Sequence, residues 1–182
     1  MTTVNNCNIP DDLLYQVEKH VWVKRDADGT ARIGMTDPAQ KLAGKIIVVT
    51  PKKVGRTITR GQSAGTVESS KWVGPVPSPL SGEIVAVNQV PLDKPTALNA
   101  DPYGNWIVKL APTNWDEEAK DLVTGEQGVE AYRGAAAGGG HRLRDLMRWR
   151  SPNRSTRVAG FHRTSPTTWS ATCGPASRRM GL

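Results

Sequence analysis

A chain of 182 residues with a formal charge of +7 is long enough for one domain with a buried core. The charge is unevenly divided: residues 1–132 carry 14 Lys and Arg against 16 Asp and Glu, whereas residues 133–182 carry 10 Arg and one acid. No apolar run approaches the ~20 residues of a membrane-spanning helix, no leader peptide is evident, and Cys7 and Cys173 are too few and too far apart for a disulfide framework. We therefore expect a cytoplasmic protein whose basicity is confined to its C-terminal part.

Short apolar runs, rich in β-branched residues, alternate with turn residues along most of the chain. The loop at residues 26–29 ends in Gly29, which suits a hairpin turn that needs a positive φ. Strands are predicted over residues 20–24, 30–35, 46–49, 84–90 and 106–110, with a further strand that ends at Ser69. This pattern favours a mainly β domain, either a small sandwich or a barrel, with helices at its periphery.

Three short helical segments are predicted around these strands. Residues 11–17 begin with two acids, as the first turn of a helix often does. Thr36 or Asp37 can cap a second helix, with Pro38 at its first helical position. The third segment covers residues 115–132, with Asn114 as its cap and interruptions near Gly125 and Gly128.

Three prolines recur with a period of two at Pro75, Pro77 and Pro79. Alternate residues of a strand direct their N–H groups to the same side, so all three missing donors fall on one side. We therefore expect this segment to lie at a sheet edge or a barrel seam.

The composition changes after residue 132. Residues 134–140 contain only Gly and Ala, and residues 141–182 are rich in Arg, Ser, Thr, Pro and Gly without an apolar period. We predict a folded domain over residues 1–132 and a disordered extension over residues 133–182. Arginines can neutralise phosphates, but no nucleic-acid recognition motif accompanies them, so nucleic acid is not the expected partner.

One lysine, Lys71, stands between two strand-like runs in the stretch Glu68-Ser-Ser-Lys-Trp-Val-Gly-Pro75. A lysine at the tip of a tight connection carries its amine into water on a flexible four-carbon stem. Acylation of that amine gives a neutral amide without disturbing the fold beneath it. The stretch therefore indicates a site for a tethered group.

This stretch resembles the lipoyl-lysine site of the glycine cleavage system H protein family. In that family a glutamate lies three positions before the lysine, one glycine sixteen before it and another eleven after it, which here are Glu68, Gly55 and Gly82. The resemblance extends over residues 10–132. Its other blocks are His20-Val-Trp-Val23, Gly34-Met-Thr-Asp37 with Ala39-Gln40, and Asn99-Ala-Asp-Pro-Tyr-Gly104 with Trp106.

The resemblance implies a barrel-sandwich hybrid fold and a carrier that is not itself an enzyme. Lipoic acid would be attached to Lys71 by a lipoate-protein ligase, and Glu68 would be part of what that ligase reads. Gly55 and Gly82 serve the turns that present the lysine, and Ser70 is a turn residue facing the ligase or a partner. The implied site holds no metal, and His20, His141 and His162 show no metal-ligand spacing.

Trp72 departs from the family, which has a small residue after the lysine. It can be a partly buried sheet aromatic or a surface that selects partners. Cys7 is interpreted as a free thiol, with exchange with a dithiol arm as the alternative.

The pathway is inferred from resemblance alone. Three stretches look more like lipoate-binding proteins of heterodisulfide-reductase-like sulfur oxidation, so that complex is the first expected partner; the stretches are residues 6–10, 17–22 and 69–76. The alternative is a genuine H protein, which passes an aminomethyl group among the glycine cleavage enzymes, with dihydrolipoamide dehydrogenase as a further candidate partner. A biotinyl carrier and an unmodified interaction domain remain as second alternatives.

Overall fold

Short antiparallel strands dominate the computed structural model, which describes residues 2–4 and 6–137. The strands are β1 (Thr2–Val4), β2 (Cys7–Ile9), β3 (Leu14–Gln16), β4 (Val21–Arg25), β5 (Ala31–Met35), β6 (Ile46–Pro51), β7 (Thr57–Ile58), β8 (Ser63–Ser69), β9 (Val73–Pro77), β10 (Gly82–Val87), β11 (Val108–Pro112) and β12 (Val123–Thr124). The helices are α1 (Asp37–Ala43), α2 (Gln89–Asp93), α3 (Ala97–Ala100), α4 (Trp115–Glu118) and α5 (Gly125–Ala137), with 3₁₀ turns at Val17–Lys19 and Ala119–Asp121.

The described strands form two main sheets and one small hairpin. The larger sheet has the order β12-β3-β4-β5-β11-β10-β7, and the smaller has the order β6-β8-β9. β1 and β2 pair with each other, and every pairing in the described residues is antiparallel. Neither main sheet closes on itself. The predicted mainly β class with short peripheral helices is confirmed, and its two main sheets are open.

The main hydrophobic core draws side chains from both sheets. Alternation places Val21, Val23 and Ile33 inward from the larger sheet, and Val67 and Val76 inward from the smaller one. A second cluster lies under α5 and consists of Ile9, Leu13, Tyr15, Trp22, Val129 and Tyr132. The helix therefore covers one face of the β3–β4 pair.

The proline-rich strand occupies the predicted edge. Among the described strands β9 pairs with β8 alone, and Pro75 and Pro77 lie opposite Thr66 and Ser63. The missing N–H donors therefore cost no ladder hydrogen bonds on the open side.

The N-terminal helix predicted over residues 11–17 is wrong. Leu14, Tyr15 and Gln16 form β3, which pairs with β4, and a 3₁₀ turn follows. Tyr15 is fully buried and donates its hydroxyl proton to the carbonyl oxygen of Pro10 at 2.7 Å. Pairing with a neighbouring strand and burial of Tyr15 override the local helical signal, which rested on two exposed acids.

The predicted interruption near Gly128 is also wrong, because α5 continues through it. A Cβ on Gly128 would lie 3.2 Å from the Tyr15 ring, so glycine permits close packing of the helix rather than ending it. The described part of this helix reaches Ala137, five residues past the predicted domain boundary at residue 132. The rest of the predicted extension, residues 138–182, lies outside the described residues.

Candidate functional site

Lys71 lies in the turn that joins β8 to β9 and is exposed. The turn is closed by the backbone N–H of Ser69, which donates to the carbonyl oxygen of Trp72 at 2.7 Å. Two residues, Ser70 and Lys71, therefore form the tip of the hairpin. This is the position predicted for a lysine that carries its amine away from the sheet.

The Ser69 side chain organises the turn from its base. Its hydroxyl oxygen lies 3.3 Å from the backbone nitrogen of Lys71 and 3.1 Å from that of Trp72, and accepts a hydrogen bond from each. The same hydroxyl lies 3.2 Å from the carbonyl oxygen of Trp72, to which it can donate. A small hydroxyl-bearing residue suits this position because it satisfies amides that a two-residue turn leaves unpaired. Ser69 is therefore a turn residue, and the hydrogen-bond partners of its hydroxyl in the described part of the chain are backbone groups of Lys71 and Trp72.

A second contact ties the turn to residues 44–46, which run from the end of α1 into the first residue of β6 and which we name the supporting segment. The backbone N–H of Ser70 donates to the carbonyl oxygen of Lys45 at 3.1 Å. The aliphatic stem of Lys71 passes over Gly44: a Cβ placed on that glycine would lie 3.8 Å from both Cδ and Cε of the lysine. The backbone at the root of Lys71, meaning residues 69–72, is thus held in place, while the lysine itself is exposed.

Within the described residues, no hydrogen bond or ion pair engages the Lys71 amine. No carboxylate or imidazole of those residues lies in position to act on it as an acid or base. The arrangement offers a primary amine as an acyl acceptor and leaves its activation to another protein.

Glu68 precedes the turn and lies between two exposed valines in one cross-strand row. It pairs with Val48 of β6 on one side and with Val73 of β9 on the other. Val48 is 38% exposed and Val73 is 61% exposed, and Ile47, beside Val48, is 52% exposed. On the outer face of the smaller sheet, next to Lys71, the half-buried carboxylate of Glu68 is therefore bordered by apolar side chains.

Trp72 is half-buried and packs against the main core. Its indole also covers Gly74, where a Cβ would fall 1.7 Å from Cζ2 of the ring. The bulky residue after the lysine is therefore accommodated by a glycine two positions later. The geometry accounts for Trp72 as a packed aromatic whose exposed part lies at the root of the lysine.

Gly55 and Gly82 are not brought to the lysine turn. Gly55 lies in the loop after β6, at the end of that strand that is farther from Lys71. Its φ is +83°, and its N–H donates to the carbonyl oxygen of Ile84 at 2.8 Å. Gly82 begins β10, where a Cβ would fall 2.3 Å from the carbonyl oxygen of Ala111. Both glycines serve the backbone of the scaffold, one through its φ and the other through close strand packing.

The described histidine and cysteine lie under α1 and α5, not at the turn. Burial lowers the pKa of His20 to about 4, and its Nδ1 lies 3.3 Å from the hydroxyl of Tyr132. Cys7 on β2 is free and half-buried, and burial raises the pKa of its thiol. No group of three or more His, Cys, Asp and Glu in the described residues could hold a metal ion.

Sequence reasoning missed the residues beneath the lysine. Gly44, Lys45 and Asn99 support the turn, yet they lie 26 to 28 positions from Lys71 in sequence. The sequence analysis included Asn99 only as the first residue of the block at residues 99–104.

The described helices include none long and apolar enough to cross a membrane.

Comparison with known proteins identifies one family. The family model described as glycine cleavage H-protein matches residues 14–134. Glycine cleavage system H protein 2 of Aquifex aeolicus is 46% identical over 128 residues, covering 70% of this chain and 80% of that protein. Probable glycine cleavage system H protein 2 of Sulfurisphaera tokodaii is 47% identical over 132 residues, covering 71% of this chain and 88% of that protein.

A solved structure gives the same result. The crystal structure of a glycine cleavage system H protein from Mycobacterium marinum superposes with a TM-score of 0.60 at 34% sequence identity. The match covers 71% of this chain and 99% of that one.

Proposed function

The chain belongs to the glycine cleavage H-protein family, and on that premise we propose that it carries lipoic acid in amide linkage to Lys71. The observation that carries the proposal is the exposed Lys71 amine, which no described residue engages, on a turn whose root is fixed by Ser69 and Lys45. An acylating enzyme can reach such an amine without first breaking an ion pair or opening the fold.

The residues at the turn fit a neutral, flexible arm. When bound, lipoic acid supplies a dithiolane that accepts two electrons or a small transferred group. Amide formation removes the charge of Lys71, so its stem can enter an apolar cleft without the cost of dehydrating an ammonium. The stem leaves the protein over Gly44, which presents no side chain to obstruct it.

Recognition by a lipoate-protein ligase falls to the face beside the turn. Glu68 offers a carboxylate three residues before Lys71, on the strand that leads into the turn, and Ser70 and Trp72 flank the lysine. Apolar neighbours restrict the approach to a complementary surface, which is how an enzyme distinguishes one lysine among ten. Gly55 and Gly82 contribute through the scaffold.

The glycine cleavage system is the better-supported pathway. The two relatives and the solved structure described above are named as glycine cleavage system H proteins. The partners would then be the glycine cleavage enzymes, including dihydrolipoamide dehydrogenase, in the cytoplasm. The comparisons give no support to the first expectation, a heterodisulfide-reductase-like system.

One observation keeps sulfur oxidation as a second candidate. Trp72 packs over Gly74 beside the lysine, and the resemblance implies a small residue at the position of Trp72 in the glycine cleavage family, so a different enzyme partner is proposed as the alternative. Three relatives from the single organism Aquifex aeolicus also show that one genome can hold several such proteins. Reconstitution of glycine decarboxylation with the other H-system components tests the first candidate: turnover supports it, and the absence of turnover despite complete lipoylation contradicts it.

The carrier proposal is tested by intact mass after expression with lipoate and the ligase. We expect one lipoyl adduct on the wild-type chain and none on Lys71→Arg, with thermal unfolding nearly unchanged because an exposed turn residue contributes little to stability. Lys53→Arg, an exposed lysine at a different turn, is the matched control and keeps the adduct. A lipoyl adduct that persists on Lys71→Arg contradicts the assignment, and a biotinyl mass would identify a different carrier.

A further inference from the structure

Asn99, on α3, holds the supporting segment at two points with one carboxamide. Its Oδ1 accepts the backbone N–H of Ile46 at 2.9 Å, and its Nδ2 donates to the carbonyl oxygen of Gly44 at 2.9 Å. These two backbone groups flank Lys45. The carboxamide thus satisfies one N–H and one C=O group, as a neighbouring strand would, and restricts the backbone conformation of Lys45.

The orientation of this carboxamide is fixed from its other side. The second hydrogen of Nδ2 is donated to Oε1 of Gln40 at 3.0 Å. Gln40 is buried, and its own Nε2 donates to Oδ1 of Asp37 at 2.5 Å. Three hydrogen bonds therefore determine how Asn99 lies, and a rotated carboxamide would place Nδ2 against the Ile46 N–H.

The segment that Asn99 holds is the one on which the lysine turn rests. Lys45 accepts the Ser70 N–H at 3.1 Å, and the Lys71 stem lies over Gly44. A continuous series of contacts runs from Asn99 through residues 44–46 to the root of Lys71. The side-chain hydrogen bonds of Asn99 within the described residues go to Ile46, Gln40 and Gly44, and none goes to Lys71.

We propose that Asn99 is a positioning residue for the acylation of Lys71. It holds the Lys45 carbonyl where the Ser70 N–H can meet it, and so fixes the direction in which the lysine leaves the hairpin. This inference rests on the proposed lipoyl attachment at Lys71. Without this support the turn populates several conformations that direct Lys71 differently. A ligase that binds one of these conformations then finds only a fraction of the protein competent.

The first test is amide hydrogen exchange on the unmodified protein. Asn99→Ala removes all three hydrogen bonds, and we expect exchange of the Ser70 amide to rise about tenfold. Amides of the β8–β9 ladder should keep their rates. Unchanged exchange at Ser70, or an equal rise along the whole ladder, overturns the proposal.

The second test is the steady-state rate of acylation by a lipoate-protein ligase. We expect Asn99→Ala to raise KM for the carrier about five- to tenfold with kcat nearly unchanged, because a smaller fraction of the protein is competent. Asn99→Asp keeps the acceptor for Ile46 but turns an oxygen toward the carbonyl oxygens of Gly44 and Gln40, so it should be at least as impaired. A fall in kcat alone, or no change in either variant, contradicts a positioning role.

Asn105→Ala is the matched control. Asn105 follows the same helix and donates to the carbonyl oxygens of Ala97 at 3.1 Å and Asp101 at 2.8 Å, but does not contact the supporting segment. It should lower the midpoint of thermal unfolding about as much as Asn99→Ala while leaving the KM of acylation unchanged. Equal effects of both variants on KM would show that Asn99 acts only through stability.

The two proposals fail separately. A wild-type chain that accepts no lipoyl group at Lys71 defeats the proposed function, whereas the exchange of Ser70 in Asn99→Ala still decides whether Asn99 holds the turn.

Discussion

The side chains around Lys71 either fix the turn or remain open to a partner. Ser69 bonds the turn from below with its hydroxyl, and Trp72 packs against the core and over Gly74. Val73 and the Lys71 amine remain exposed, and the Glu68 carboxylate is half-buried beside them. The rigid residues therefore determine where the mobile amine can go.

The Trp72–Gly74 contact predicts non-additive effects on stability. Gly74→Ala should displace the indole and cost about 2 kcal/mol, although its φ is ordinary. Trp72→Ala should also cost about 2 kcal/mol through lost packing. The double variant should cost little more than Trp72→Ala alone, because the added methyl then meets no ring. Urea unfolding of the four proteins measures the coupling, and strictly additive values would disprove the contact.

His20 predicts a pH dependence of stability. Burial lowers its pKa to about 4 from the ordinary 6.5, so the unfolded chain binds a proton before the folded one does. The stabilisation is complete above pH 6.5 and is lost as the pH falls toward 4, by at most roughly 3 kcal/mol. The free energy of unfolding, measured between pH 7 and 5, reports on His20, because the carboxylates with lowered pKa values take up protons at lower pH.

His20→Asn is the variant to compare. His20 has φ +56°, and asparagine tolerates that conformation better than most residues. We expect a flatter stability curve above pH 5 in the variant. A slope equal to that of the wild type would assign the dependence to other groups.

At the scale of elements, the hairpin of β8 and β9 presents the lysine at the edge of the smaller sheet. β6 supports it on one side only, through the row of Val48, Glu68 and Val73. The prolines of β9 leave its outer side without a regular set of donors, which discourages another strand from adding there. The free side of the hairpin is thus kept open without becoming a site of aggregation.

Gly55 and Gly82 should differ in how much they matter for stability. Gly55→Ala meets open space but must adopt φ +83°, at a cost of about 1–2 kcal/mol. Gly82→Ala drives a methyl into the backbone oxygen of Ala111, which forces β10 and β11 apart at a cost of about 3 kcal/mol. Chemical unfolding measures both values.

Neither glycine variant should slow acylation of the folded fraction, because neither residue touches the lysine turn. A ligase assay on folded Gly55→Ala checks this, with Lys53→Arg as the control. A slower rate on the folded protein would place Gly55 in direct recognition.

At the scale of the whole molecule, charge and core are divided along the chain. The buried core residues that the structure describes lie between Ile9 and Tyr132. The first 137 residues carry 15 Lys and Arg against 16 Asp and Glu, a net charge of −1, and the remaining 45 carry +8. The fold and the candidate site therefore draw on a different part of the chain from its basicity.

A chain ended after Ala137 should keep the fold and lose the basic character. We expect the midpoint of thermal unfolding to change by less than about 3 °C and acylation of Lys71 to be retained. Salt-sensitive retention on a heparin column should disappear with the arginines. Loss of cooperative unfolding in the shorter chain would show that residues 138–182 are needed for the fold.

Some secondary-structure elements could be predicted from local sequence and others could not. The strands at residues 20–24 and 30–35 and the Thr36-capped helix were predicted because apolar alternation and a capping residue are local signals. Residues 11–17 and 84–90 were mispredicted in part, since β3 exists by pairing with β4, and β10 ends at Val87 before α2 begins. A strand's partner is not a local property.

The candidate site divides in the same way. The position of Lys71 in a turn, with Glu68 three residues before it, could be read from adjacent residues because hairpin tips and family spacing are short-range features. The place of Trp72 over Gly74 and the apolar border of Glu68 depend on which strands lie side by side. Those relations became visible only in the folded sheet.

The sequence by itself determined the mainly β class, the family and the lysine that should be modified, because apolar periodicity, turn residues and motif spacing are written along the chain. Tertiary structure alone decided what holds that lysine in place. Asn99 and the supporting segment come from separate elements far from Lys71 in sequence, and only packing of α3 against α1 and β6 brings a carboxamide within hydrogen-bond distance of the backbone on which the turn rests.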